Sequence, residues 1–398
     1  MTTFAPQLRI PATYMRGGTS KGVFFRLQDL PDFAQAPGKA RDALLLRVIG
    51  SPDPYGKHTD GMGGATSSTS KVVVVTPSWR DGCDVDFLFG AVAIDAPMID
   101  WSGNCGNLSA AVGPFAVSEG LVPAVEGVTR VRIWQANIGR RIESFVPVRG
   151  GEVIEDGAFM EDGVPFPSSE VRLEFLDPAD DEPGATGALL PTGAPQDELD
   201  VPGVGVIAAT MITAGNPTVF VRASSLGLTG KETAADVDRD RKLLERLEAI
   251  RAAAAVRMGL AGTAEEATRS RPATPKISWV ARPAAYRTSA GVDVAPERID
   301  LLARIMSMGR LHHAFTGTGS IALAVAAALP GTVVAEVART LPGVPTRIGH
   351  LSGTLAVGAD VSQRDGRSQV DKAVLSRSAR RLMTGWVHVP SAGLCRSA

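Results

Sequence analysis

Two residues stand where a proton could be moved. Lys71 closes a Ser/Thr-rich run, Thr66-Ser67-Ser68-Thr69-Ser70, and opens the apolar run Val72–Val75. A lysine at the mouth of a buried strand is partly stripped of water, which favours the neutral amine, a base. A surface lysine at a strand end is the alternative. Cys105 lies in Asn104-Cys105-Gly106-Asn107, directly before the run of apolar and small residues Asn107–Val117. At a helix start a thiol meets unpaired N–H groups and the positive end of the peptide dipoles, which favours the thiolate. Most free cysteines are buried and inert, but mere packing is a poor explanation for Asn-Cys-Gly-Asn. Cys83, in the turn Asp81-Gly82-Cys83-Asp84, reads as structural, and Cys395 in the polar tail as incidental.

A second set of residues could hold an anion. Thr316-Gly317-Thr318-Gly319 precedes another apolar run, Ser320–Leu329, and aligning Cys105-Gly-Asn with Thr316-Gly-Thr brings the two runs into phase. Two opposed helix N-termini make a carboxylate site, and Gly106, Gly317 and Gly319 would let a ligand approach the backbone closely. Arg16-Gly17-Gly18-Thr19-Ser20-Lys21 gathers two cations and two hydroxyls around paired glycines, as an anion clamp or as a plain turn. Lys276, before Ile277-Ser278-Trp279-Val280, repeats the placement of Lys71 in the other half. His312 and His313 stand just before the second helix start, either to position substrate or as satisfied structural residues. Phosphate is disfavoured. Gly61–Lys71 (GMGGATSSTSK) lacks the glycine before lysine that a P-loop requires, and Thr316–Ser320 is not GxGxxG. The expected ligand is a small polycarboxylate.

The elements that must position these groups are mostly strands. Runs such as Val23–Arg26, Lys71–Val75, Val85–Phe89, Val131–Trp134, Val171–Phe175, Thr218–Arg222, Ile277–Val280, Thr332–Val337 and Trp386–Val389 are β-rich and bounded by turn residues. Lys231–Leu260 reads as an amphipathic helix with Leu243, Leu247, Ile250 and Ala254 on one stripe. Asn107–Val117 and Ser320–Leu329 have no polar face, so each must be buried all round. Both are too short for a membrane, which leaves a helix inside a closed or strongly curved sheet. Gly18-Thr-Ser-Lys-Gly-Val-Phe-Phe also resembles Gly215-Asn-Pro-Thr-Val-Phe-Val, so the chain reads as an internal duplication. The acidic, Gly/Pro-rich stretch Asp177–Asp200 reads as the linker. The expected lobes are residues 1–185, with Lys71 and Cys105, and 186–398, with the Thr316–Gly319 helix start.

Composition removes several classes. With 41 Lys plus Arg against 42 Asp plus Glu, the net charge of −1 offers no surface for nucleic acid or anionic membrane. At 398 residues, with 44% hydrophobic and 21% charged residues, the chain can bury a large core without staples. Three widely spaced cysteines suit a reducing compartment, and the five histidines make no metal motif. The N-terminal sequence lacks a signal-peptide pattern. The expectation is a cytoplasmic enzyme that engages neither nucleic acid nor membrane and binds no metal.

Several long segments together resemble the 2-methylaconitate isomerase family, the PrpF proteins. They are Ile10–Phe25 (IPATYMRGGTSKGVFF), Gly50–Lys71 (GSPDPYGKHTDGMGGATSSTSK), Asp100–Gly113 (DWSGNCGNLSAAVG), Val131–Gly139 (VRIWQANIG), Ser307–His313 (SMGRLHH) and Ser376–Ala379 (SRSA). The resemblance runs through nearly the whole chain. It implies an α+β, diaminopimelate epimerase-like fold of two similar lobes, each a mixed sheet wrapped around a central helix, with the active site between them. The C-terminal strand could return to the first lobe. It further implies action in the methylcitrate cycle of propionate breakdown, on the product of an aconitase-like iron–sulfur dehydratase, with no cofactor, and it hints at a homodimer. The family's catalytic lysine falls on Lys71 and its helix-start cysteine on Cys105.

Substrate contacts are then expected from Arg16, Gly18, Thr19, Ser20, Asn104, Gly106, Asn107, Asn216 of the Gly-Asn-Pro turn, Lys276, Ser307, Met308 and Thr316 to Gly319. Two-cysteine epimerases of the wider superfamily carry a second thiol where this chain has Thr316. A threonine hydroxyl is far too weak an acid for that role, so a lysine-assisted proton shift is expected instead, a cis-trans or allylic isomerisation in which the proton returns at another carbon or after bond rotation. A 4-oxalomesaconate or methylitaconate-type tautomerase, or a non-catalytic accessory protein of the dehydratase, are the alternatives.

Overall fold

A computed structural model describes residues 7–179, 188–364, 367–391 and 394. The expected lobe boundary at 185/186 and Cys395 lie outside these residues.

One pairing scheme is run twice. In the first half, strands Gln7–Gly17 and Ser20–Arg26 form a hairpin, and Ser20–Arg26 pairs in parallel with Lys71–Pro77. Lys71–Pro77 pairs antiparallel with Val85–Val92, which pairs in parallel with Gly127–Gln135, and that strand turns into Arg140–Arg149. In the second half, Gly205–Ala214 and Asn216–Arg222 form the hairpin, and Asn216–Arg222 pairs in parallel with Lys276–Ala281. Leu301–Ser307, Thr346–His350 and Gly353–Arg364 follow in the same antiparallel, parallel, antiparallel order.

Parallel neighbours cannot be joined by a hairpin and need a crossover. Each half supplies one helix at the same step: Gly106–Ser118 before Gly127–Gln135, and Gly317–Ala328 before Thr346–His350. The long strand Arg367–Pro390 ties the halves together. It pairs with Gly353–Arg364, with Glu170–Leu176 and with Gln7–Gly17, the last in register from Gln7↔Pro390 to Gly17↔Ala379. Among the described residues these strands belong to one 18-stranded sheet. The fold is α+β with two lobes, each a mixed sheet curled around an apolar helix.

Both central helices are buried on every side, from Gly106 to Val117 and from Gly317 to Ala327. Small residues make this feasible; a Cβ added at Gly113 would meet Ser144 Oγ on the neighbouring strand. Leu108, Val112 and Phe115 of the first helix share one core with Ile321, Leu323 and Val325 of the second. Each such side chain contributes about 1.5–3 kcal/mol by leaving water.

Three expectations are corrected. Thr332–Val337 is not a strand but a chain of turns. Thr332 Oγ1 donates to Ala326 O at 2.6 Å and accepts from Ala335 N, which caps the end of the second helix and coils the chain back. Lys231–Leu260 is not one helix. Thr233 and Asp240 each accept a backbone N–H through the side chain, which starts separate helices at Ala234–Asp238 and Arg241–Arg257. The stripe Leu243, Leu247, Ile250 and Ala254 is buried as expected. The stretch assigned as a linker ends in a strand, Asp197–Val201, paired with Gly205–Ala214. No helix among the described residues is long and apolar enough to cross a membrane.

Candidate active site

The two central helices meet head to head. Cys105 is the N-cap of the first and Thr316 the N-cap of the second. A Cβ on Gly106 would lie 2.6 Å from Thr318 N, and one on Gly317 would lie 2.7 Å from Gly106 C. Only glycine lets the two backbones touch, so the unpaired N–H groups of both first turns converge at one junction. Asn216 straps the junction. Its Oδ1 accepts from Asn104 N at 2.8 Å, and its Nδ2 donates to Asn104 O at 2.7 Å and to Thr318 Oγ1 at 2.8 Å.

A cavity of about 30 Å³ opens beside the junction. The first lobe lines it with Lys71, Asn104, Cys105, Gly106 and Asn107, and the second with Asn216, Lys276, Ser307, Met308, Thr316, Gly317 and Thr318. Lys71 Nζ donates to Ser20 Oγ at 3.0 Å and to Cys105 Sγ at 3.2 Å, beside the Phe89 ring. Cys105 Sγ also accepts from Leu108 N at 3.4 Å. Lys276 Nζ donates to Ala273 O at 3.2 Å. Burial, and next the neighbouring Lys71 ammonium, bring the Lys276 pKa down to about 8. Among the described residues, the wall contains two lysines and no carboxylate.

Further polar atoms on this wall have no protein partner. Asn104 Nδ2, Thr316 Oγ1 and His312 Nε2 are buried and unpaired. The His312 ring is held neutral, chiefly by burial and then by His313 and Lys71. Ala314 N–H donates to Nδ1 at 3.1 Å, so the ring proton sits on Nε2 and faces outward as a donor. Buried donors are normally paired, which makes these atoms candidates for ligand contact.

Five of the expected contacts lie outside the cavity wall: Arg16, Gly18, Thr19, Ser20 and Gly319. Arg16 binds Gly18 O, Ser378 O and Ser378 Oγ, which fastens the first hairpin to the last strand. Gly18 has φ +51°, and a Cβ there would lie 2.8 Å from Asn107 Oδ1. Thr19 Oγ1 accepts from Asn107 Nδ2 at 3.0 Å, and Ser20 acts through Lys71. A Cβ on Gly319 would run into Ile305 and Thr316.

Arg377 was not among the candidates. Its Nε donates to Asn107 Oδ1 at 3.0 Å and faces Glu161 at 3.4 Å, both inside the protein. Its segment, SRSA, carried part of the family resemblance. Its partners lie 270 and 216 residues earlier in the chain, a separation no local spacing reveals.

The fold and the cleft are those of a two-lobed α+β isomerase. The crystal structure of a methylitaconate-delta-isomerase superposes with a TM-score of 0.77 at 40% identity, covering 98% of both chains. The chain belongs to the PrpF family, whose model, described as PrpF protein, matches residues 7–390. It is 57% identical to the 2-methyl-aconitate isomerase of Cupriavidus necator, covering 98% of this chain and 99% of that one. It is 40% identical to the 3-methylitaconate isomerase of Eubacterium barkeri, with the same two coverages.

Proposed function

We propose that this protein isomerises a 2-methylaconitate by moving a proton along its allylic system. The observation that carries the proposal is the donor-rich cavity without a carboxylate. Two buried lysines, two converging helix starts and the unpaired donors of His312 and Asn104 surround a space without a carboxylate of its own. A tricarboxylate supplies the missing acceptors, and the 57% identical relative named above is a 2-methyl-aconitate isomerase.

Lys71 is the base. Its Nζ donates to Ser20 and Cys105, which hold it in place, and once it has given up its ammonium proton its lone pair takes an allylic proton. Cys105 is its partner, an acceptor that fixes the amine from the helix start. Removing the proton gives a dienolate, and the helix-start N–H groups and His312 Nε2 stabilise the charge that develops on the substrate carboxylate, as an oxyanion hole does. Substrate access requires the lobes to part, since the cavity of about 30 Å³ is far smaller than a typical ligand pocket of ~300–1,000 Å³. Closure then excludes water from the dienolate.

The metabolic setting proposed is the methylcitrate cycle in the cytoplasm, downstream of an aconitase-like iron–sulfur dehydratase, with the enzyme as a homodimer. The test is ¹H NMR of the purified protein with 2-methylaconitate isomers in D₂O. Isomerisation with deuterium entering the allylic position is expected. Lys71→Ala should slow it by about 10²–10⁴-fold, the usual worth of a general base, and Cys105→Ala by less. An unchanged Lys71→Ala rate rejects the base assignment. No turnover of methylaconitate, with turnover of 4-oxalomesaconate, moves the substrate to the tautomerase class.

A further inference from the structure

An allylic shift takes a proton from one carbon and returns one to another. A single base must swing between the two carbons, or a second group must serve the far one. The duplicated fold places a second group. In the first half Val23 pairs with Val72, and in the second Val219 pairs with Ile277. The residue before Val72 is Lys71, and the residue before Ile277 is Lys276. The two lysines therefore occupy the same position of the repeated unit, each at the head of the strand that runs parallel to its lobe's hairpin. Both are buried, at 6% and 8% exposure, and both line the one cavity, from opposite lobes. The N-caps of the central helices are the other repeated pair, and there the repeat is chemically broken: a thiol at Cys105 faces a hydroxyl at Thr316. Of the two repeated pairs, only the lysines keep proton-transfer chemistry on both sides.

We propose that Lys276 is the second proton-transfer group, delivering a proton to one end of the allylic system while Lys71 removes one from the other. This rests on the isomerase reading above. As Lys71 takes the proton, the C–H electron pair becomes a new C=C bond. The old C=C pair shifts to the far carbon and takes a proton from the Lys276 ammonium. Lys71 ends as ammonium and Lys276 as amine. The pair's total charge is unchanged, and solvent resets both when the lobes open.

The surroundings fit a donor. Lys71 makes two side-chain bonds, whereas Lys276 spends one N–H on Ala273 O, leaving the other two free for the cavity. Its support is rigid and crosses the lobes: Asp100 Oδ2 accepts from Ala273 N at 2.8 Å, and Ser102 Oγ lies 2.8 Å from Thr274 Oγ1. The charged and titratable groups that bear on it are Lys71, Cys105, Asp100 and Arg251, with neutral His312 on the same wall. With its proton held less tightly than an exposed lysine's, Lys276 is still mainly cationic near neutrality and is a competent acid there. Each proton gained by Lys71 pushes the next one off Lys276, so the two transfers are coupled through charge.

The test reads two rates in D₂O by ¹H NMR on the full-length protein with 2-methylaconitate: loss of the substrate's allylic proton, and formation of the isomer. Lys276→Met removes the proton, and Lys276→Arg keeps charge and bulk but cannot give up its proton at working pH. Both variants should isomerise at least 10²-fold more slowly while exchange of the abstracted proton falls less than tenfold; Lys71→Ala should lose both signals. Should either variant isomerise within tenfold of wild type, or lose exchange and isomerisation in equal proportion, Lys276 is not the second group. Wild-type protein silent in both signals rejects the isomerase reading itself, a different result. Arg at this position guards the conclusion against a Met variant that fails to fold.

Discussion

Gly317→Ala isolates the head-to-head contact from the chemistry. The added Cβ would lie 2.7 Å from Gly106 C, 2.8 Å from Asn107 N and 2.9 Å from Gly106 Cα. All three are backbone atoms, so no side chain can rotate away. Reaching ordinary van der Waals distance requires the two helix starts to separate by about 0.7 Å. Overpacking of this kind typically costs about 1–3 kcal/mol, which should appear as a lower thermal midpoint of a folded protein. The kinetic effect should be larger. The separation moves Lys71 and Cys105 on one lobe away from Lys276 and His312 on the other, and a misplacement near 1 Å costs on the order of 10²-fold in rate. The assay is kcat for methylaconitate isomerisation beside a thermal melt. A folded Gly317→Ala enzyme with near-wild-type kcat would refute the claim that backbone contact between the helix starts sets the distance between the two walls of the cavity.

Two other outcomes follow from single residues. Asn216→Ala should destabilise the protein by roughly 2–6 kcal/mol, because Asn104 N and O are left unpaired in the interior at ~1–3 kcal/mol each; a urea melt shifted by less than 1 kcal/mol would show that water replaces the strap. His350 predicts acid sensitivity: burial first, then the Arg377 and Arg304 cations, depress its pKa to about 3, so the unfolded chain takes up this proton well before the native protein does. Stability should fall by ~1.4 kcal/mol per pH unit as pH drops from about 6.5 toward 3 on this account alone, and His350→Asn should flatten the urea-midpoint profile; an unaltered profile assigns the acid sensitivity elsewhere.

The sequence exposed what local composition encodes. All-apolar helices announce their own burial, so Gly106–Ser118 and Gly317–Ala328 and their glycine starts were readable, and with them a cavity at their junction. Lys71 and Lys276 were readable as strand heads because their apolar strands are continuous. What stayed hidden depends on partners far along the chain. Thr332–Val337 has the composition of a buried strand, but a threonine bonded to helix-end carbonyls winds it into turns. Asn216 is expected to meet ligand; its two bonds to Asn104 are visible only once the lobes are brought together, and its bond to Thr318 only once the second lobe is folded. His312 needed the Ala314 N–H to fix its tautomer before it could be counted as a donor.

Two helix N-termini pressed together should repel, and the size of that repulsion explains how the site is built. Half a unit charge at each start, about 5 Å apart at an effective dielectric near 20, costs about 1 kcal/mol. Asn216 alone offsets this: its two hydrogen bonds to Asn104 cross between the lobes, at ~0.5–1.5 kcal/mol each. The contact therefore holds without a ligand, and the lobes are brought together by polar straps and the shared core rather than by substrate. The residual repulsion between the helix starts, and between Lys71 and Lys276, is relieved only when a polyanion lies among them. The substrate carboxylates therefore add binding energy to a cleft that already closes without them, and that energy falls away for any ligand with fewer charges. A monocarboxylate of the same carbon skeleton should relieve less of the repulsion and bind more weakly, so discrimination among substrates rests on the number of carboxylates before it rests on shape.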